Sequence, residues 1–328
     1  MADIARETGL TLGTVSRALN TEGKYAIATE TRERVIEAAA RLGYRPNLIG
    51  RALAAGSAAL ILLVSPDPFA SYYVEISRHL SVHASQDGYT FVTGGALPQN
   101  GATGIPANDW LYGVDGMIVC DYLPHQEAYI TEALRLKIPM VGLGVRHPFP
   151  TDFVKVDIYS ATRDLLAHLI AAGCKDIAMM RAPGTHQEDP RMRAFLEMTA
   201  DHGLEPKFVA CRNQSRLSGR EAVVEAVRSG QKMDALFCEN DTLTVGALRG
   251  LSDLGIRVPE DMLLAGCDGL DDTIYQSTPL TTIAQPLEQM CEMAWRMLQA
   301  RIEGSSGEPR VLDTVAELVI RESTTGAT

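Results

Sequence analysis

The sequence predicts a small all-α helix-turn-helix head followed by an α/β body of doubly wound parallel sheets. Three observations predict it. Residues 1–44 hold three short amphipathic helical patterns separated by glycines. From residue 58 onward, short apolar runs alternate with longer amphipathic ones, the signature of strands and helices taking turns in a parallel sheet. The length of 328 residues suits a small head plus two further α/β units.

In the head, Ile4 and Ala5 give the first helix its apolar face, and Gly9 follows where a left-handed C-cap is wanted. Thr11 can cap a second helix that turns Val15, Ala18 and Leu19 inward and leaves Arg17 facing out. A third helix is predicted over about 31–42, with Val35, Ile36, Ala39 and Leu42 closing the bundle and Gly43 ending it. A second helix presented this way enters the major groove of DNA, its first residues meeting base edges while hydroxyls and amides hold phosphates. The same three helices also suit a bundle used for protein contacts.

In the body, strands are predicted at 60–64, 90–93, 117–120, 140–143, 177–180 and 235–238. Helices are predicted at 73–86, 127–136, 161–172, 191–202, 218–229 and 242–254. Residues 94–113 are too rich in Gly and Pro for a long helix and predict a loop, with one helical turn near 108–112.

Charge is divided along the chain. Residues 1–56 carry eight Lys/Arg against six Asp/Glu, net +2, and the remaining 22 basic and 35 acidic residues leave the body at −13. Only the head suits a nucleic-acid surface. Screening over roughly 8–10 Å keeps the acidic body from forbidding DNA binding. No segment approaches the roughly 20 apolar residues of a membrane helix, and no secretory signal precedes the head, so a cytoplasmic protein is expected. The cysteines Cys120, Cys174, Cys211, Cys238, Cys267 and Cys291 form no Cys-x-x-Cys pair and read as buried reduced thiols. His79 and His83 stand one helical turn apart without a third ligand nearby in sequence, which favours a solvated face over a metal site. Neither metal nor cofactor is expected.

After the third helix comes Arg45-Pro46-Asn47-Leu48-Ile49-Gly50-Arg51-Ala52-Leu53-Ala54-Ala55-Gly56. Together with Asp3-Ile4-Ala5 and Thr11-Leu12-Gly13-Thr14-Val15-Ser16-Arg17-Ala18-Leu19-Asn20, this resembles the lactose/galactose repressor family of bacterial transcription regulators, over nearly the whole chain. The resemblance implies operator DNA as partner. Leu12, Gly13 and Arg17 would meet base edges, with Thr11, Thr14, Ser16 and Asn20 around them. Residues 46–58 would form a hinge helix that folds on DNA, with Asn47 and Arg51 as contacts and Leu53 as an apolar wedge in the minor groove. Gly50, where relatives have alanine, should cost the isolated hinge about 1 kcal/mol. Relatives place a capping Thr ahead of Asp3, whereas this chain offers only Met1-Ala2. Helix one is expected to begin uncapped, its start a few residues late or its first turn frayed.

For the body, the resemblance implies a periplasmic-binding-protein-like fold, with two subdomains clamping a sugar-like effector. The expected division is 1–45 for the head, 46–58 for the hinge and 59–328 for the body. The body splits into 59–156 plus 287–312 and 157–285 plus 313–325. Effector contacts are expected beyond the carboxyl ends of the strands. Tyr72 and Tyr73 match the family's aromatic pair, though one of them is expected simply to pack under the next helix. Arg191 stands at the family's offset of twelve residues before Gly203, with Arg193 as competitor if the register slips. Asn240 would reach the ligand while Asp241 caps the following helix. Asp268 would accept paired hydroxyls, Gln285 would close the site at a crossover, and Asp157 would orient it at the other. Gln214 replaces an aromatic of many relatives and makes the pocket more polar, which tilts the expected effector toward a highly hydroxylated or acidic sugar. No leucine heptads follow Arg321, so a homodimer is expected rather than a tetramer.

Two other functions fit parts of the pattern. A sugar-binding protein without DNA regulation would leave the head unexplained. A nucleotide-dependent enzyme would need a Gly-x-Gly-x-x-Gly or Gly-x-x-x-x-Gly-Lys-Ser/Thr loop. Gly142-Leu143-Gly144 lacks the third glycine, and no nucleophile and base stand paired.

Overall fold

The structure, a computed structural model, describes residues 1–19, 27–44, 58–95, 111, 113–122, 126–145, 149–183 and 188–325. The chain divides into two units, Met1–Ala58 and Ala59–Thr328.

The first unit contains α1 (Ala2–Thr8), α2 (Leu12–Leu19) and α3 (Thr29–Arg41). Gly9 and Gly43 follow α1 and α3 at φ +65° and +59°, left-handed positions that a side chain would strain. Ile4, Val15, Ala18, Val35, Ala38 and Ala39 form the core. Ile36 and Leu42 depart from expectation, being 47% and 45% exposed. Ala38 completes the i, i+3, i+4 face of α3 with Val35 and Ala39, which turns Ile36 outward, and Leu42 lies past the last helical turn. No side chain caps α1. Arg41 instead ties it to α3 through Glu7, at 2.8 Å.

The second unit holds two six-stranded sheets. The first runs in the order β11 (Val311–Val315), β5 (Asp152–Asp157), β4 (Met140–Gly144), β3 (Gly116–Cys120), β1 (Leu60–Ser65) and β2 (Thr90–Gly95), all parallel. The second runs β12 (Glu317–Val319), β10 (Thr281–Ala284), β9 (Leu263–Asp268), β8 (Ala235–Cys238), β6 (Ile177–Arg181) and β7 (Lys207–Ala210). Its strands are parallel except β12, which runs antiparallel to β10. The chain passes between the sheets after Asp157, after Gln285 and after Val315. Because β11 pairs with β5 from Val311↔Phe153 to Val315↔Asp157, the last passage falls at Val315, not at the expected 312/313 boundary.

The helices are α4 (Ser71–Gln86), α5 (Glu127–Arg135), α6 (Tyr159–Ala171), α7 (Pro190–Asp201), α8 (Arg216–Arg228), α9 (Asp241–Asp253) and α10 (Leu287–Ile302). Helix α10 returns to the first sheet, burying Met290, Ala294 and Leu298 and donating from Trp295 Nε1 to Asp87 at 2.6 Å. Strands β5, β7, β9, β10, β11 and β12 add to the six that the apolar pattern predicts. All six cysteines are buried and free. Leu111 is buried, while the expected turn at 108–112 and most of the loop at 94–113 fall outside the described residues. Among the described residues, no helix is long and apolar enough to cross a membrane.

Candidate functional site

In each sheet the strand order reverses at one point, between β1 and β3 in the first and between β6 and β8 in the second. A crevice opens beyond the carboxyl ends of strands at such a point. A cavity of about 420 Å³ lies there, its wall drawn from both sheets.

From the first sheet, α4 begins soon after β1 and brings Tyr72 and Tyr73 to the wall, their rings edge to face at 5.1 Å. Neither merely packs under a helix. Tyr72 donates its hydroxyl to Gln285 at 2.9 Å, and Tyr73 donates to Asp121 at 3.0 Å. Burial, reinforced by Asp121, raises both phenol pKa values well above the ordinary range, so both hydroxyls keep their protons. Asp121 follows β3 directly and has room because residue 144 is glycine. A Cβ there would stand 2.2 Å from the Asp121 carboxylate.

The second sheet supplies the opposing wall. Asp189 caps α7 by accepting the Arg191 backbone N–H at 3.0 Å, with Pro190 pre-setting the first turn. The same carboxylate takes Arg191 Nε at 3.0 Å and Nη2 at 2.9 Å, a two-pronged ion pair with Asp189 almost wholly buried. Arg191 Nη1 donates to the Glu239 carbonyl at 2.7 Å. Burial opposes the Arg191 charge, but Asp189 beside it carries the pKa well above the ordinary guanidinium value. Arg193 faces away, over the Tyr159 ring at 4.3 Å, whereas Arg191 lines the cavity. Phe195 is buried against Phe208.

At the end of β8, the capping role expected of Asp241 falls to Asn240. Asn240 Oδ1 caps α9 by accepting the Leu243 N–H at 2.8 Å, while the residue still lines the cavity. Asp241 is buried behind it and accepts the Gly269 and Leu270 N–H groups, each at 2.8 Å, and the Thr282 hydroxyl at 2.7 Å. It thereby fixes the turn after β9 that presents Asp268, whose own φ of +125° no ordinary strand end requires. Asp268 accepts from Gln285 Nε2 at 3.0 Å. Tyr72, Gln285 and Asp268 thus form one hydrogen-bonded relay across the cavity. Burial and then the neighbouring Asp241 push the Asp268 pKa well above the carboxylate range, with Arg191 opposing. Gln214 donates to Glu239 at 3.3 Å on the same wall.

Asp157 does not join them. It lies outside the cavity lining and accepts the Ser160 N–H at 3.2 Å and hydroxyl at 2.6 Å, holding the first turn of α6. The cavity also takes Asp121, Asp67, Arg212 and Asn213, which sequence reasoning missed. Asp121 carried a signal, as the first charged residue after an apolar run at a strand end.

In the head, the Thr11 hydroxyl accepts the Thr14 N–H at 3.2 Å and so caps α2. Leu12, Gly13, Ser16 and Arg17 are exposed, Leu12 at 54%, and Arg17 Nε donates to the Gly13 carbonyl at 3.1 Å. One helix face therefore carries an apolar side chain, a bare backbone position, a hydroxyl and a guanidinium. Asn20, Asn47, Arg51 and Leu53 lie outside the described residues.

A model of bacterial regulatory proteins of the lacI family matches residues 1–47, and a periplasmic binding protein-like domain matches 166–324. The HTH-type transcriptional repressor CytR of Escherichia coli (strain K12) is 31% identical over 337 aligned positions, covering 99% of this chain and 96% of that protein. Among solved structures, a lac repressor dimer bound to operator and the anti-inducer ONPF superposes with a TM-score of 0.80 at 24% identity, covering 99% of this chain and 98% of that one. A complex of the transcriptional regulator CelR with cellobiose gives a TM-score of 0.69 at 26% identity, covering 98% of each chain.

Proposed function

The chain belongs to the LacI family of bacterial regulatory proteins, and from that premise we propose that it is a homodimeric, operator-binding repressor whose cleft binds a sugar-like effector. It is a regulator and not an enzyme, as its relatives are. The observation that carries the reading is the coexistence in one chain of an exposed α2 face of reading-helix composition and a cleft-like cavity of about 420 Å³ lined by phenols, amides and carboxylates.

In this reading Thr11, Thr14 and Ser16 hold phosphates, Leu12 and Gly13 approach base edges, and Arg17 pairs with a guanine. Residues 46–58 form the hinge, with Asn47 and Arg51 against DNA and Leu53 wedged into the minor groove. Tyr72, Tyr73, Arg191, Gln214, Asn240, Asp268 and Gln285 surround the effector, with Asp121 added and Asp157 left to hold α6. The relay from Tyr72 through Gln285 to Asp268 spans the two walls, so a ligand that replaces its bonds acts on both subdomains at once and biases the hinge. Binding DNA places the protein in the cytoplasm, at the nucleoid.

Selecting duplexes from a random library with the full chain tests the reading. A near-palindromic site bound as a dimer is expected, its affinity changed by at least one neutral sugar. Recovery of no preferred sequence would refute the operator, and a sugar response without DNA binding would leave a plain sugar-binding protein.

A further inference from the structure

Every cation on the described cavity wall is already matched by an acid of the same chain. Arg191 is held at both prongs by Asp189, and Arg212 by Glu221. Asp67 and Asp268 line the same wall, Asp67 accepting the Phe69 N–H at 3.0 Å and Asp268 the Gln285 amide at 3.0 Å. An anionic ligand entering here meets an Arg191 charge already matched by the buried Asp189, an Arg212 charge shared with Glu221 at the surface, and the Asp67 carboxylate, which opposes it. A hydroxyl or an ammonium group meets acceptors.

We propose that the cleft selects uncharged or basic polyhydroxylated ligands and rejects sugar acids and sugar phosphates, with Asp189 as the specificity-determining residue because it neutralises Arg191. The inference rests on the effector-cleft reading above and narrows the ligand to one charge class, removing the acidic sugars left open by the sequence. Arg191 then serves as a rigid donor wall. Its planar fork is oriented by Asp189, which itself is fixed as the cap of α7.

Calorimetry on the full chain with matched series tests this: glucose, glucosamine, glucuronate and glucose 6-phosphate, the galactose counterparts, and ribose with ribose 5-phosphate. In whichever series the parent binds, the acid and phosphate are expected about 100-fold weaker or undetectable, as like-charge opposition requires. The amino sugar is expected to bind at least as well as the parent. Asp189→Asn leaves Arg191 charged and underpaired, so its melting temperature should fall and be restored by the sugar acid more than by the parent sugar. If Asp189→Asn does not fold, Asp189→Glu, which keeps the charge, is expected to fold and to retain the exclusion of anions. An acid or phosphate binding the unmodified chain as tightly as its parent sugar overturns the selectivity but leaves the sugar cleft standing. Failure of every compound to bind both the unmodified chain and the variant refutes the sugar cleft and the inference with it.

Discussion

Asp241 holds a proton that an ordinary carboxyl would have released. Its burial behind the cleft raises its pKa to about 7, against about 3.9 for an unfolded chain. Between those values the folded state binds a proton that the unfolded state has lost. The stability this group confers is therefore complete below the unfolded value and disappears as pH rises through the folded one. Asp261 acts in the opposite sense: hydrogen bonds from Arg257 lower its pKa to about 2, so its stabilisation is present above about pH 3.9 and is lost as pH falls toward 2. The body is expected to lose thermal stability from about pH 4 to about pH 7 and to level off above it. Asp241→Asn should flatten that slope while lowering stability throughout, because one amide oxygen replaces two carboxylate oxygens that accept three bonds. Equal slopes in scanning calorimetry would contradict the assignment. In the head, Arg17→Ala is expected to cost about 1–3 kcal/mol on the preferred operator and little on random DNA. Equal losses on both, by fluorescence anisotropy, would make Arg17 a phosphate contact. Arg191, Asp268 and Gln285 were legible because their motif spacing survives in the chain. That Asn240 rather than Asp241 caps α9 was not, since both residue types cap helices well and only the position of the β9 turn decides which one is needed there.

Helices α8 and α9 cross at close range through glycines. A Cβ on Gly246 would stand 2.1 Å from the Arg216 carbonyl oxygen, and one on Gly219 would stand 2.6 Å from the Leu243 carbonyl oxygen. These obstacles are backbone atoms, which cannot rotate aside as a side-chain end can. Gly246→Ala is expected to force the helices apart and destabilise the body by about 1–3 kcal/mol in urea unfolding. A loss below about 0.5 kcal/mol would mean that the crossing relaxes freely. Alternation of apolar runs located β1 to β4, β6 and β8, most of them buried on both faces and so continuously hydrophobic. It missed the interior strands β5, β9 and β10 and, at the sheet edges, β11, where only Thr314 of five residues is buried, and β7, a four-residue strand. Edge strands expose side chains and lose the pattern. It also placed the inward face of α3 one position off, because Ile36 and Leu42 are apolar without being buried. Small Ala38 fills the place that hydrophobicity alone assigned to larger neighbours.

At the scale of the whole molecule, a basic head is covalently joined to an acidic body that encloses a polar cavity between two sheets, with three chain passages linking them. Three chain passages join the sheets, and the Tyr72–Gln285–Asp268 relay is a side-chain link across the cavity between them. Occupancy of the cavity can change operator affinity only by the difference in ligand affinity between the DNA-competent and incompetent arrangements. The most direct test is operator affinity of the full chain, measured by anisotropy across a titration of a sugar shown by calorimetry to bind, in the unmodified protein and in Asp268→Ala. The unmodified protein is expected to change its operator affinity by about 5- to 150-fold, while Asp268→Ala binds operator like the sugar-free protein and does not respond. A sugar that binds the cleft without altering operator affinity, or an Asp268→Ala protein that responds as fully as the unmodified one, would contradict control of the head by the cleft.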